Sequence, residues 1–265
     1  MLNALFLIEK TVAFYRKNRY NNILDWRAVT GMTISENVAQ IKEELALAAR
    51  KAGRDPSDII LLGASKMNDV SRIREAFQAG VVYFGENRVQ EMTEKAALGA
   101  YVGAHLHFIG HLQKNKVKQV VGVAELIHGA DSVELLEVIG RLAEKKGFVQ
   151  DVLLEVNIGG ESSKSGFSPA ALLSALDSCE KITGIRVRGL MTIPPVCSSP
   201  EEIYPYFDRM YQLFVDIGEK KYDTSNMDFL SMGMSHDFAS AIAFGSNLVR
   251  IGTGIFGARH YGSMP

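Results

Sequence analysis

A lysine stands at the end of a short apolar run. The segment "IILLGASK" covers residues 59–66, follows Pro56 and ends on Lys66. Continuous apolar runs of this length are typical of strands buried on both faces of a parallel sheet. One interpretation is structural, with the stem of the lysine on apolar neighbours and its ammonium in water. The other is chemical: burial lowers the pKa of the amine from about 10.4, and the neutral amine attacks a carbonyl carbon to form a Schiff base.

A second group of residues could hold a phosphate. The segment "LVRIGTGIFG" at 248–257 places Thr253 between Gly252 and Gly254, where backbone N–H groups can approach a phosphate closely. Ser235, in "LSMGMSHD", offers another hydroxyl donor. Glycines within strands also mark close packing or a bend, so the cluster by itself leaves phosphate binding open.

An arginine precedes this cluster. Arg250 lies two residues before Gly252, so a continuous strand would direct both residues towards the same ligand. A guanidinium keeps its protons but can donate a hydrogen bond to an unprotonated pyridine nitrogen. A pyridine ring held in this way is a poor electron sink.

The elements that must position these residues alternate regularly. Short apolar runs predict eight strands, at 59–66, 81–86, 106–111, 125–131, 152–158, 186–193, 229–234 and 248–257. Helical spacing predicts helices at 70–79, 87–98, 113–121, 132–147, 168–180, 201–220 and 237–244. Eight such repeats in about 235 residues favour a single TIM-type (β/α)8 barrel over an open doubly wound sheet.

Polar residues that end barrel strands meet at the C-terminal rim, where active sites form. The expected rim residues are Lys66, Glu86, Asn87, His111, Asp131, Asn157, Ser235 and Arg250 to Thr253. A lysine that faces this ring of polar groups favours covalent carbonyl chemistry over the structural interpretation.

Composition narrows the class of partner. The 265 residues are 47% hydrophobic, enough for a full-sized core, and carry a net charge of −1. This balance gives no electrostatic reason to expect binding to nucleic acid or to a membrane. Two cysteines, Cys179 and Cys197, are too few for a disulfide framework, which favours a reducing, cytoplasmic compartment. Small molecules are the expected partners.

The first 31 residues differ from the rest. Their apolar and basic character suggests a targeting segment, but Glu9 and Lys10 interrupt the apolar run and no small-residue cleavage site follows. We therefore interpret residues 1–31 as an N-terminal extension of unknown role. Ser35 is the predicted N-cap of the helix that opens the barrel domain, which we assign to residues 32–265.

Six motifs carry a family resemblance. They are "FGENRVQE" (84–91), "HFIGHLQKNKVK" (107–118), "VNIGGESSKSGF" (156–167), "GLMTIPP" (189–195), "LSMGMSHD" (230–237) and "VRIGTGIFGARHYG" (249–262). Together they closely resemble the pyridoxal phosphate homeostasis family (YggS/PROSC) over residues 33–262. The resemblance implies a barrel like the N-terminal domain of alanine racemase, with pyridoxal 5′-phosphate (PLP) held as a Schiff base on the lysine of the "SK" motif, here Lys66.

The resemblance also implies roles for other residues. It assigns Arg250 to the pyridine nitrogen and Ser235, Gly252 and Thr253 to the phosphate, and it puts Asn87 beside the cofactor. Apart from the resemblance, His105, His107, His111 and His128 show no metal-ligand spacing such as HExxH, so we expect no metal site.

The expected function is non-catalytic. Racemisation needs a base on each face of the substrate. The alanine racemase family takes its second base, a tyrosine, from a C-terminal domain, whereas this sequence ends shortly after its eighth strand and offers only Tyr261. We therefore expect a monomeric PLP carrier that buffers or delivers the cofactor, with PLP-dependent apoenzymes as recipients. The alternatives are a small fold-type III PLP-dependent racemase or lyase, and a cofactor-free aldolase.

Overall fold

A computed structural model describes residues 32–220, 222 and 225–257. Eight parallel strands close into a barrel in sequence order. They are β1 (Ile60–Ala64), β2 (Tyr83–Glu86), β3 (His105–Phe108), β4 (Leu126–Ala130), β5 (Gln150–Glu155), β6 (Ile185–Met191), β7 (Ser225–Ser231) and β8 (Leu248–Ile251). The predicted closed barrel is confirmed. The extension predicted at 1–31 and Tyr261 both lie outside the described residues.

Helices separate the strands and surround the barrel. They are α1 (Ile34–Lys51), α2 (Val70–Gln78), α3 (Val89–Ala97), α4 (Val117–Val120), α5 (Val133–Lys145), α6 (Leu172–Cys179), α7 (Pro200–Lys220), α8 (Phe238–Ala243) and α9 (Thr253–Phe256). In the described part of the chain, none of these helices is both long enough and apolar enough to cross a membrane.

Strand alternation separates the barrel interior from the outer core. In β8, Leu248 belongs to an apolar cluster with Leu62 and Ile109, whereas Val249 and Ile251 pack in the larger cluster under the helices. Arg250 alternates with these two residues and therefore projects into the barrel. Its register partner on β1 is Leu62, so the arginine lies at the seam where β1 and β8 pair and close the barrel.

The predicted strands extend too far at several ends. The prediction that Lys66 ends the first strand is wrong, because β1 ends at Ala64 and Lys66 lies in the following turn. The eighth strand, predicted to run to residue 257, ends at Ile251. Gly252 has φ −107° and ψ −79°, which takes the chain out of extended geometry and into α9. Strand alternation between Arg250 and Gly252 therefore does not hold.

The N-cap of α1 also differs from the prediction. Thr33, not Ser35, caps the helix, because its hydroxyl accepts a hydrogen bond from the backbone N–H of Glu36 at 3.2 Å. The Glu36 carboxylate in turn accepts one from the backbone N–H of Thr33 at 2.8 Å, which completes a capping box. Ser35 lies inside the first turn. The side chain of Asn37 on α1 donates to the backbone oxygen of Ile255 at 3.0 Å, so α1 supports α9.

Candidate functional site

A cavity of about 290 Å³ opens beside the carboxyl ends of β1 and β8. Its lining is formed by Ala64, Lys66, Met67, Asn68, Asp69, Arg72, Gly252, Thr253, Phe256 and Gly257. The parallel pairing of β1 with β8 brings the two ends of the barrel sequence together here. Three of the predicted site residues, Lys66, Gly252 and Thr253, therefore share one cavity.

Ser235 joins this group through hydrogen bonds. Its hydroxyl lies 3.1 Å from the Thr253 hydroxyl, and it accepts a hydrogen bond from the backbone N–H of Gly254 at 3.3 Å. Gly233, with φ +95°, allows the turn after β7 that brings Ser235 to this position, and a Cβ there would lie 2.6 Å from that of Ala241. The hydroxyls of Ser235 and Thr253 are thus adjacent, and Gly252 and Gly254 lie on either side of Thr253 in the chain.

The fold does not itself require glycine at position 252. Its φ of −107° suits any residue, and a Cβ there would meet nothing closer than Ala64, at 3.5 Å. Gly254 is different, because a Cβ would lie 2.9 Å from Ile251. Since Gly252 lines the cavity, its missing side chain leaves space for a ligand near Lys66 and Thr253.

Arg250 lies deeper, inside the barrel. It is 5% exposed and donates hydrogen bonds to the Ser231 hydroxyl at 2.6 Å and to the backbone oxygen of Thr192 at 3.0 Å. Burial lowers the pKa of Arg250 to about 10, while the negative charges of Asp237 and Glu155 oppose that shift. The guanidinium is therefore charged at neutral pH. It is not among the described residues that line the 290 Å³ cavity.

Two buried histidines extend the hydrogen bonds of Arg250 across the barrel. The Ser231 hydroxyl lies 3.1 Å from Nδ1 of His128, and Nε2 of His128 lies 3.0 Å from Nδ1 of His107. Burial, reinforced by His105, lowers the pKa of His107 to about 3. Burial, with His107 and Arg250, lowers the pKa of His128 well below its usual value. Both imidazoles are neutral at physiological pH.

Asn87 lines a second cavity of about 280 Å³. Other residues around it include His111, Glu155, Asn157 and Lys164, all near the rim of the barrel. The Oδ1 atom of Asn87 is buried and has no hydrogen-bond partner among the described residues. The structure therefore assigns Asn87 to a neighbouring cavity rather than to the lining shared by Lys66 and Thr253.

Glu155 is a partly buried acid at this rim. Burial raises its pKa, and the nearby negative charge of Asp131 raises it further, while His111, Arg250 and a hydrogen bond from Ser165 act in the opposite direction. These neighbours supply the polar environment that a carboxyl group in an apolar strand needs.

Sequence reasoning missed two contributors. Arg72 brings a cation to the wall of the 290 Å³ cavity, and its Nε donates to the Asn68 side chain at 3.0 Å. Ser231, the acceptor for Arg250, ends β7. Ser231 could have been predicted from its position at the end of a strand. Arg72 lies on α2, and nothing in the sequence marks it as a site residue.

Comparison with known proteins identifies relatives over most of the chain. The family model for the alanine racemase N-terminal domain matches residues 37–260. A pyridoxal phosphate homeostasis protein of Aquifex aeolicus is 41% identical over 230 residues, which are 87% of this chain and 100% of that protein. The protein of the same name from Escherichia coli K12 is 39% identical over 86% of this chain and 97% of its own length.

A solved structure agrees with these relatives. PipY of Synechococcus elongatus, solved with PLP bound, superposes with a TM-score of 0.75 at 31% identity, covering 85% of this chain and 100% of that one. The same protein solved without PLP gives a TM-score of 0.76. With a closed parallel barrel and relatives matched along nearly their whole length, the chain belongs to the pyridoxal phosphate homeostasis protein family, built on the alanine racemase N-terminal domain.

Proposed function

We propose that this protein is a non-catalytic PLP-binding protein that buffers or delivers PLP and holds it as a Schiff base on Lys66. The observation that carries the proposal is the shared cavity of Lys66, Gly252 and Thr253, with the Ser235 hydroxyl bonded to Thr253. The names of its relatives and the PLP-bound structure of PipY support the choice of ligand.

The residues of the cavity suit the chemical groups of PLP. When bound, PLP supplies an aldehyde that reacts with amines and a phosphate that takes hydrogen bonds. Lys66 is the nucleophile: its amine adds to the aldehyde carbon, and one water molecule leaves as the C=N bond forms. Ser235 and Thr253 donate hydroxyl hydrogen bonds to the phosphate, and Gly252 provides the space beside them.

In this proposal Arg250 acts on the ring of the cofactor and Asn87 lies beside the cofactor. Arg250 has five N–H donors, of which the hydrogen bonds to Ser231 and Thr192 use two, so donors remain for the pyridine nitrogen. Asn87 lines the neighbouring 280 Å³ cavity, where its buried Oδ1 has no hydrogen-bond partner among the described residues, and we place this residue beside the cofactor. A charged guanidinium donates a hydrogen bond but not its proton, so the ring stays a weak electron sink. This chemistry supports storage rather than turnover.

The remaining parts of the proposal concern the setting. We assign residues 32–265 to the PLP-binding barrel and residues 1–31 to an extension. The protein acts as a cytoplasmic monomer, and PLP-dependent apoenzymes receive the cofactor.

Trapping the Schiff base tests the assignment of Lys66. Borohydride reduction of the PLP-loaded protein, followed by peptide mapping, is expected to yield a pyridoxyl group on Lys66. The Lys66→Ala variant should be colourless and lose nearly all bound PLP, while Lys146→Ala, at the end of α5 and outside the lining of the cavity, should stay yellow. An adduct on another lysine, or a Lys66→Ala protein as yellow as wild type, contradicts the proposal.

A panel of L-amino acids tests the absence of catalysis. Incubated with the PLP-loaded protein, these amines should give no sustained formation of D-amino acids or of lyase products. Turnover at ordinary enzyme rates, about 1–10³ per second, would replace the carrier function with the racemase or lyase alternative.

A further inference from the structure

The backbone on both sides of Lys66 is held by one group of charged side chains that are buried or partly buried. We define the Glu86–Glu91–Lys95 cluster by these three residues, which come from the end of β2 and from α3. The cluster makes hydrogen bonds to Ser65 and to Met67, the two residues that flank Lys66. Of these three residues, only Glu86 was expected from the sequence at the rim of the barrel, and none of them was given a role in the site.

Lys95 is the centre of the cluster. Its ammonium nitrogen lies 2.8 Å from Oε1 of Glu86, 2.9 Å from Oε2 of Glu91 and 3.0 Å from the backbone oxygen of Ser65. An ammonium has three protons, and these three acceptors match them. The side chain of Lys95 is only 11% exposed, so its charge is directed inward and not into solvent.

Glu86 fixes Ser65 from the other side. Its side chain is fully buried, and Oε1 accepts hydrogen bonds from the Ser65 hydroxyl and from the Tyr101 hydroxyl, each at 2.7 Å. Burial, followed by the charge of Glu86, raises the pKa of Tyr101, which keeps that hydroxyl protonated as a donor. Ser65 is thus held through its hydroxyl by Glu86 and through its carbonyl by Lys95.

Glu91 holds the residue that follows Lys66. Met67 has φ +62°, a left-handed conformation that non-glycine residues adopt only when the surroundings impose it. Its backbone N–H donates to Oε2 of Glu91 at 2.7 Å. Burial alone would raise the pKa of Glu91, but the hydrogen bonds from Met67 and Lys95 outweigh it and lower the pKa, so the carboxylate is charged at neutral pH.

We propose that the Glu86–Glu91–Lys95 cluster positions Lys66 for Schiff-base formation by fixing the peptide groups on both of its sides. Lys95 is then a positioning residue for the cofactor rather than only a stabiliser of the barrel. The inference rests on the proposed function of Lys66. Its physical basis is preorganisation: a backbone already held in the bound geometry loses less conformational freedom when the bond to PLP forms.

The first test replaces Lys95 with methionine in the full chain. Methionine keeps most of the stem but removes the donor, so Ser65, Glu86 and Glu91 lose their shared cation. We expect PLP binding, measured by titrating the visible absorption band, to weaken by about tenfold or more. Lys146→Met is the matched control, because Lys146 also donates to a backbone carbonyl, that of Val121, but away from the cavity.

A second pair of variants separates positioning from stability. Glu91→Ala removes the acceptor of the Met67 N–H, whereas Glu91→Gln keeps an acceptor at that place. We expect Glu91→Ala to weaken PLP binding and to move the pH at which the visible band changes, and Glu91→Gln to restore most of both. Urea unfolding of each PLP-free variant reports stability separately.

The outcomes distinguish the cluster from the proposed function. If wild type forms no adduct on Lys66, the proposed function fails. If wild type forms it and folded Lys95→Met binds PLP as tightly and with the same band, the positioning proposal is overturned. Should Lys95→Met fail to fold, the Glu91 pair decides: equal affinity and equal pH dependence in Glu91→Ala and wild type overturn the proposal, and a loss restored by Glu91→Gln supports it.

Discussion

At the scale of single residues, Arg250 places a positive charge inside the barrel, where the groups that accept its hydrogen bonds are uncharged. The Ser231 hydroxyl and the Thr192 carbonyl accept hydrogen bonds from it, and His128 beyond Ser231 is neutral because burial lowers its pKa. A protonated His128 would repel the guanidinium. Keeping both buried histidines neutral therefore preserves the hydrogen bonds that orient Arg250.

This arrangement predicts a pH dependence of stability. The pKa of His107 is lowered to about 3 in the folded protein and is about 6.5 in the unfolded chain. Between these two pH values the unfolded chain therefore binds one more proton than the folded protein. The stabilisation linked to His107 is thus present above about pH 6.5. Each pH unit below that value lowers the free energy of unfolding by about 1.4 kcal/mol, so the loss reaches about 2 kcal/mol at pH 5.

The His107→Gln variant isolates this contribution, because glutamine can hydrogen-bond to His128 but does not titrate. Between pH 7 and pH 5, the free energy of unfolding measured with urea should fall by about 2 kcal/mol more in wild type than in the variant. Equal losses in the two proteins would show that His107 does not remain neutral in the folded state.

The location of residues at the cavity was predictable where a strand end signalled it. Lys66, Gly252, Thr253 and Ser235 follow or end apolar runs, and the structure brings them together. A position on a helix gave no such signal for Arg72. Which side chains meet inside the barrel could not be predicted either, because that depends on the register between strands.

At the scale of elements, the ends of strands and helices decide which residues reach the site. The turn at Gly252 replaces the strand expected through residue 257 and sends Thr253 into α9, next to Ser235. Periodicity predicted the apolar run but not its end, because Ile255 and Phe256 are buried in a helix as they would be in a strand. Backbone dihedral angles at one glycine settle what the apolar pattern could not.

The start of α1 gives a matched pair of substitutions. Thr33→Ala removes the hydroxyl that accepts from Glu36 and should lower the free energy of unfolding by about 1 kcal/mol. Ser35→Ala lies inside the first turn, where alanine is the better helix former, and should leave stability equal or slightly higher. Urea unfolding of both variants measures the difference, and a larger loss for Ser35→Ala would restore Ser35 as the N-cap.

At the scale of the whole molecule, the barrel closes where β1 meets β8, and the candidate site lies on that seam. Helix α1 supports the seam from outside, since Asn37 bonds to Ile255 and Ile41 lies against Gly254. The eightfold alternation made the closed barrel predictable. The contacts of α1 with α9 were not, because they join residues more than two hundred positions apart.

Deletion of residues 1–31 tests where the working domain begins. The closed barrel and all six predicted cofactor residues lie within 32–257, and the family model starts at residue 37. We therefore expect the shortened protein to keep its urea midpoint and its PLP content, read from the visible band. Deletion of residues 1–41 is the contrasting variant: it removes Asn37 and the fully buried Val38 and Ile41, and should unfold the seam and release PLP. Loss of PLP from the shorter deletion would instead make the extension part of the binding site.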